Sequence, residues 1–321
     1  MAGTGNSSFS ALITRTLQNH GKEIFDAVSK NNPLFYMLNK RGNVKISSGG
    51  RTFTHPIWYK LNTSFKSYAA MAAIDTPTMD DYTRADYPIK TVAGSLVIDK
   101  LEQAMNAGDP EKLIDYAKSI RTAAEKSMNY VMGEQIWKNG SVATDLDGIP
   151  YLIPDAPSTA TDIGGINPTT DDYWRANLGT AIADFNTSNE GVNRMNNLYY
   201  SSVFGSEGPT CVVTTKTIFG YYELSLTGTV RHLTTELGDA SFVYLAYKTL
   251  PVIFDDYCTA SHIFMLDLNN LWLQILARGN FQVSDFRDSI NQLAQIALMH
   301  VFCNLTTGSL RTNGVIISVA D

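Results

Sequence analysis

The chain has 321 residues, 44% hydrophobic and 17% charged, enough apolar material for one large core or two modest ones, and no stretch with the composition of a disordered chain. No apolar run approaches the roughly 18 residues of a membrane span, and the small, polar start at residues 1–10 lacks the basic-then-apolar layout of a secretory signal, so synthesis in a cytoplasm is expected. The net charge of −6 is uneven: residues 1–60 hold eight Lys/Arg against Glu23 and Asp26, a net +6, which leaves −12 for the rest. A basic arm therefore precedes an acidic body, and it is either solvated or faces a polyanion or the acidic body of a neighbouring copy.

In chain order, residues 9–19 and 23–30 read as a helix broken at Gly21. Asn32-Pro33 then starts a short helix over 34–40 that Gly42 stops. Residues 44–58 place Ser47-Ser48-Gly49-Gly50 between two β-prone runs; without a following Gly-Lys-Ser/Thr, this is turn chemistry and not a phosphate cradle. From 51 to 98 alternation (Phe53, Ile57, Tyr59, Leu61) mixes with polar turns and apolar tips. A two-stranded arm of about twenty residues each way would reach roughly 60 Å. Such an arm is marginal alone, so Phe65, Tyr68, Met71 and Ile74 are expected to lie on a neighbouring subunit.

Residues 109–139 predict a long amphipathic helix. Asp109 is a good N-cap, Pro110 suits the first turn, and Leu113, Ala117, Ile120, Ala124, Met128 and Val131 form the apolar stripe before Asn139-Gly140 closes it. Such a helix, roughly 45 Å long, is a spine for other layers. Beyond it, 148–153 reads as a short apolar strand, and Asp171 or Asp172 as the cap of a helix carrying Tyr173, Trp174, Leu178 and Ile182. A buried strand at 211–215 runs into a helix at 216–226, and 250–254, 262–267 and 315–319 are further strands. Residues 290–305 fit helix or strand equally on periodicity. The class is α+β without a regular βαβ repeat.

No catalytic spacing survives scrutiny. The five histidines form no His-Glu-x-x-His or metal-spaced pair, and neither a nucleophile elbow nor a Gly-x-Gly-x-x-Gly turn occurs. Asp255, Asp256, Cys258 and His262 are the best metal candidates, the seat of an alternative reading as a metal-dependent hydrolase, but solvated loop acids are the expectation. Asp80, Asp81 and Asp86 lack calcium-loop spacing and fit charges that blunt a β edge. Cys211, Cys258 and Cys303 fit scattered buried thiols. No catalytic, metal or cofactor-binding residue is assigned, and no cofactor is expected.

The order of these pieces carries a resemblance. Asn-Pro-Leu-Phe-Tyr-Met-Leu-Asn-Lys-Arg-Gly at 32–42 leads through Ser48-Gly49-Gly50-Arg51-Thr52 and Pro56-Ile57-Trp58-Tyr59 to the extended arm and the long helix. Asp147-Gly148-Ile149, Gly164-Gly165-Ile166-Asn167, Tyr173-Trp174-Arg175, Asn304-Leu305 and Asn313-Gly314-Val315-Ile316 follow. Over nearly its whole length the chain resembles the major capsid protein of tailed bacteriophages, with the Hong Kong 97 fold. The resemblance implies an N-arm at 1–45, an extended E-loop hairpin at 46–98, a peripheral domain at 99–150 and 281–321 built on the spine helix 109–139, and an axial domain at 151–280. It favours a strand at 290–305.

It also implies a homo-oligomer of hexamers and pentamers, an icosahedral shell around double-stranded DNA located in the virion and assembled in the host bacterial cytoplasm. The partners implied are portal, cement or decoration proteins, and non-specific contact with packaged DNA through an arm carrying Arg15, Lys22 and Lys30; no membrane is involved. With about forty-five residues ahead of the E-loop, a separate scaffolding protein or none is expected. No Lys60, Lys66 or Lys90 crosslink is expected. An encapsulin-type nanocompartment shell is the alternative on the same fold.

Overall fold

The computed structural model describes residues 32–78, 80–105, 110–226 and 244–320. The expected arm helices, the cations Arg15, Lys22 and Lys30, the Asp109 cap and the side chains of Leu113 and Ala117 lie outside the described residues.

Helix α1 (Pro33–Lys40) begins at the proline, whose missing N–H costs nothing in a first turn, and ends where Gly42 takes a φ of 74°. It buries Leu34, Phe35, Met37 and Leu38. Strand β1 (Val44–Ser47) follows and pairs in parallel with a strand far along the chain, while β2 (Thr52–Trp58) pairs with β3 (Tyr82–Pro88) in a separate two-stranded sheet. The two β-prone runs flanking Gly49-Gly50 thus belong to different sheets. Gly50, at φ 130°, supplies the redirection between them. Strand β4 (Lys90–Asp99) continues into α2 (Lys100–Met105), and α3 (Pro110–Ile136) is the spine.

At 27 residues α3 is about 40 Å long and ends three residues before the expected stop, with Gly140 (φ 68°) beyond it. Its most buried side chains are Met128, Met132 and Ile136, whereas Ile120, Ala124 and Val131 are only partly covered. Close approach decides one position: a Cβ on Gly133 would sit 2.5 Å from Asn32 Oδ1 and 2.6 Å from Tyr257 Cε2, so α1 and the 255–258 loop press directly on the helix backbone.

The expected strand at 148–153 is helix α4 (Ile149–Leu152). Pro150 suits a first helical turn, and Ile149 and Leu152, three apart, are the pair that is buried. The expected helix after Asp171 is a single 3₁₀ turn at Asp172–Trp174, followed by β5 (Asn177–Gly179). Trp174 is pinned in the core by its indole N–H donating to Ile163 O at 2.9 Å. Asn177 donates from its backbone to Asn313 O, also at 2.9 Å, and the chain is thereby held extended.

The remaining elements are α5 (Glu190–Ser202), β6 (Cys211–Thr214), α6 (Lys216–Ser225), β7 (Tyr244–Tyr247), β8 (Leu250–Phe254), β9 (Ile263–Leu266), β10 (Leu271–Leu276), β11 (Gln282–Val283), β12 (Arg287–Asp288), β13 (Ala294–Thr307) and β14 (Gly314–Ile316). They make two six-stranded sheets. In the first, β13 is the shared rail: β4 runs antiparallel along one side from Asp99↔Ala294 to Lys90↔Cys303, and β12, β11 and β10 pair in turn along the other, with β1 outside β10. Residues 290–305, ambiguous by periodicity, are thus mostly strand. The second sheet has the order β5-β14-β9-β6-β8-β7 and is backed by α5 and α6. Two cores result, a large one over the first sheet and the spine and a smaller one around Phe185, Met195, Ile218 and Met265.

A polar knot joins segments remote in sequence. The fully buried Asn304 on β13 accepts at Oδ1 from the backbone N–H of Asp147 (3.0 Å) and of Leu305 (2.9 Å). Its Nδ2 donates to Asp147 Oδ2 (2.7 Å) and to Pro88 O (2.8 Å). Lys90 Nζ stands 3.8 Å from the other carboxylate oxygen and donates to Ala143 O. Burial raises the Asp147 carboxyl above its usual range, against the Asn304 hydrogen bond and Lys90, which pull it down. Replacing Asn304 with Leu takes the carboxamide's hydrogen bonds from Asp147 Oδ2, Pro88 O and two backbone N–H groups, and leaves the buried carboxylate with Lys90 alone beside it. Denaturant unfolding of the dissociated subunit is expected to show a loss of about 3–5 kcal/mol, and Asn304→Asp, which sets a second carboxyl against Asp147, is expected to lose at least as much.

Candidate interaction surface

The hairpin β2–β3 carries the extended loop, and its sequence shows why it docks on one face only. Along β2, Phe53, His55 and Ile57 are buried while Thr52, Thr54, Pro56 and Trp58 are exposed, the period of two that a half-covered strand requires. The expected arm of twenty residues each way is seven registered pairs, Thr52↔Pro88 to Trp58↔Tyr82, about 23 Å of ladder. Among the described residues between Trp58 and Tyr82 there is no further strand. Asp86 accepts from Thr54 Oγ1 (2.6 Å) and pairs with Arg84 (3.0 Å), so it is a hairpin charge and not a cation ligand.

Three contacts fasten the hairpin, two to the first sheet and one to the turn at Gly164. His55 stacks on Trp272 with ring centroids 4.7 Å apart, and its Nε2 receives the Gln274 amide at 2.7 Å with Thr306 Oγ1 2.9 Å away. The Tyr87 hydroxyl donates to Thr307 O at 3.1 Å. Asp86 N–H donates to Gly164 O at 2.9 Å, and Gly164, at φ 62°, comes so close that a Cβ would lie 2.9 Å from Ala85 Cβ. Tyr59 stacks on Tyr173 at 4.9 Å where the loop leaves the body.

Beyond that anchor the loop exposes apolar side chains. Phe65 is 86% exposed and Ile74 69%, Met71 is fully exposed, and Leu61, Trp58 and Tyr82 are also uncovered. Tyr68 differs from the other expected contacts. It is half-buried within the loop, its hydroxyl donating to Ser64 O (2.8 Å) and accepting from Asp75 N–H (3.2 Å). Phe65, Met71 and Ile74 therefore present the surface and Tyr68 shapes it.

The candidate metal group is dispersed. Asp256 pairs with Lys216 at 2.6 Å, Asp255 accepts from Tyr257 N–H at 3.0 Å, and His262 Nε2 lies 3.0 Å from Asp155 while its Nδ1 meets Ala260 O. The Cys258 thiol is pushed up by burial and by Asp255. Cys211, Cys258 and Cys303 are free and buried. Among the described residues no group of three or more His, Cys, Asp or Glu is placed to hold a metal, and no helix is long and apolar enough to cross a membrane.

The architecture has solved counterparts. The capsid subunit of cyanophage A-1(L) superposes with a TM-score of 0.71 at 15% identity, covering 90% of this chain and 93% of that one. The fold is the Hong Kong 97 capsid fold. A chain of the satellite phage P4 procapsid, a particle that includes a size determination protein, matches with a TM-score of 0.53 at 10% identity over 93% and 90%. The SrpI encapsulin of Synechococcus elongatus PCC 7942 matches with 0.55 at 9% over 87% and 86%. No protein-family profile and no curated protein matches the sequence. The capsid fold thus covers chain and counterparts almost end to end, at identities where only geometry remains in common.

The hairpin anchor should be acid-sensitive. Burial, then the charge of Lys45, lower the His55 pKa from 6.5 to about 4, so the folded state holds a neutral ring where the unfolded chain binds a proton. A depressed histidine contributes stability that is complete above the unfolded pKa. That contribution falls away as pH drops from about 6.5 to about 4, by about 3 kcal/mol in total. Urea unfolding at pH 7 and pH 4.5 is expected to show wild type losing more stability than His55→Gln; equal losses would place the acid sensitivity elsewhere.

Proposed function

We propose that the chain is the shell subunit of a tailed-phage capsid, many copies assembling as hexamers and pentamers around double-stranded DNA, without catalysis. The observation that carries this reading is the extended loop: an apolar surface held away from the body by a rigid hairpin, on a capsid fold that matches a cyanophage capsid subunit over nine-tenths of its length. Each of Phe65, Met71 and Ile74 contributes on the order of 1.5–3 kcal/mol when a neighbouring subunit covers it, and such increments recur at every interface of a closed shell.

The domain division stays as the resemblance implies, with residues 99–150 and 281–321 forming the peripheral domain around the spine and 151–280 the axial domain. The virion is the proposed location, with assembly in a host cytoplasm, and scaffold, portal and decoration proteins the proposed partners. An encapsulin-type shell is the second reading, favoured by the SrpI match.

Electron microscopy of the purified chain tests the shell itself: closed particles are expected, and a discrete monomer or dimer under every assembly condition would rule it out. Nuclease-treated particles that retain DNA favour the phage reading, and a protein cargo the compartment. If the basic arm faces the packaged polyanion, replacing Arg15, Lys22 and Lys30 with Gln should leave particles that form but retain less DNA as salt is raised. Retention equal to wild type across the salt series would make the arm merely solvated.

A further inference from the structure

Two features of the described chain fit each other. A groove of about 270 Å³ opens between α3 and β4. It exists because small residues face one another there, Gly94 on β4 against Ala123, Ala124 and Ser127 on α3; a Cβ at Gly94 would meet only open space. Leu96, Met128 and Met299 form its floor, Ala123 and Ser127 are its exposed lip, and among the described residues no charged side chain lines it.

The other feature is the tip of the extended loop. Residues 67–74 contain no charged side chain. Lys66 and Asp75, 3.8 Å apart, close the neck of this segment, and the Tyr68 hydroxyl bridges Ser64 O and Asp75 N–H inside it. At the apex Met71 is held at φ 65°, a conformation L residues rarely adopt, between alanines at 69, 70, 72 and 73. Its fully exposed thioether stands alone as an apolar knob. An unbranched, polarisable side chain of this kind fills irregular gaps well, and no described side chain of knob or groove carries a charge to desolvate.

We propose that Met71 of one copy inserts into the groove between α3 and β4 of a second copy. This rests on the shell reading and names the surface on which the extended loop lands. The test uses full-length particles carrying Met71→Cys and Ser127→Cys together. Both positions are exposed in the single chain and the three native thiols are buried, so mild oxidation reports only the engineered pair. A ladder of linked multimers on a non-reducing gel is expected, absent from either single variant. Independently, Ala123→Phe fills the groove from its lip and should lower particle yield by about tenfold or more, as should Met71→Asp, while Met71→Leu assembles nearly as wild type. Normal particles from Ala123→Phe together with no ladder from the double variant would overturn this docking and leave the shell function standing. Failure of the wild-type chain to form any particle would remove both.

Discussion

The buried carboxamide of Asn304 is the constraint on which the rest of the structure depends. Two backbone N–H groups and two acceptors converge on one side chain, from the hairpin end at Pro88, the loop after the spine at Asp147, and β13 itself. Each bond made contributes modestly against water, but each left unmade in the interior costs the full desolvation of its group. The hairpin, the spine and the central sheet must therefore take one mutual arrangement or none. The His55 and Tyr87 contacts then set the angle at which the extended loop leaves the body, and everything beyond Tyr59 inherits that angle.

The division between rigid and exposed parts follows from this. Up to Tyr59 and from Tyr82 onward the hairpin is packed on the body; between them the described apolar groups of the loop have no cover of their own apart from Tyr68. An exposed apolar surface of this kind is the mark of a site that a partner covers. The same logic explains why phage capsids and encapsulins share this architecture: the fold supplies a tile with an arm, and the contents of the container are decided elsewhere on it.

Elements defined by local rules were legible in the sequence. Pro33 and Gly42 bound α1, the strand Cys211–Thr214 runs into α6 as its apolar run and the following helical spacing require, and β8 and β9 are short apolar runs between turns. Elements defined by distant partners were not. In β13 burial alternates from Ile296 to Cys303, but the outward-facing Ile296, Leu298 and Phe302 are apolar too, which hides the alternation that marks a strand, and only the resemblance resolved it. Pro150 marked a helical turn that its apolar neighbours made look like a strand, and Asn177 is extended because of Asn313, 136 residues away. Phe65, Met71 and Ile74 could be picked out as exposed apolar groups because apolar residues stand there among turn residues. His55, Gln274, Asp147 and Asn304 could not, because nothing local distinguishes a buried polar side chain with partners two hundred residues off from one in solvent.

Strand β13 has a further consequence, in the order in which the chain is made. Strands β1 and β4 are synthesised well before residues 294–307, yet β4 completes its ladder only on that strand, and β1 joins the sheet through β10, itself made late in the chain. Through most of translation the base of the hairpin and one flank of the spine have no sheet to close against, and unpaired strand edges with apolar faces are the form in which nascent chains aggregate. Contacts that span so much sequence also form slowly once the chain is complete. The chain is then exposed for the whole interval between the first strand and the last, so its yield depends on how well unfinished chains are shielded as much as on the stability of the finished fold.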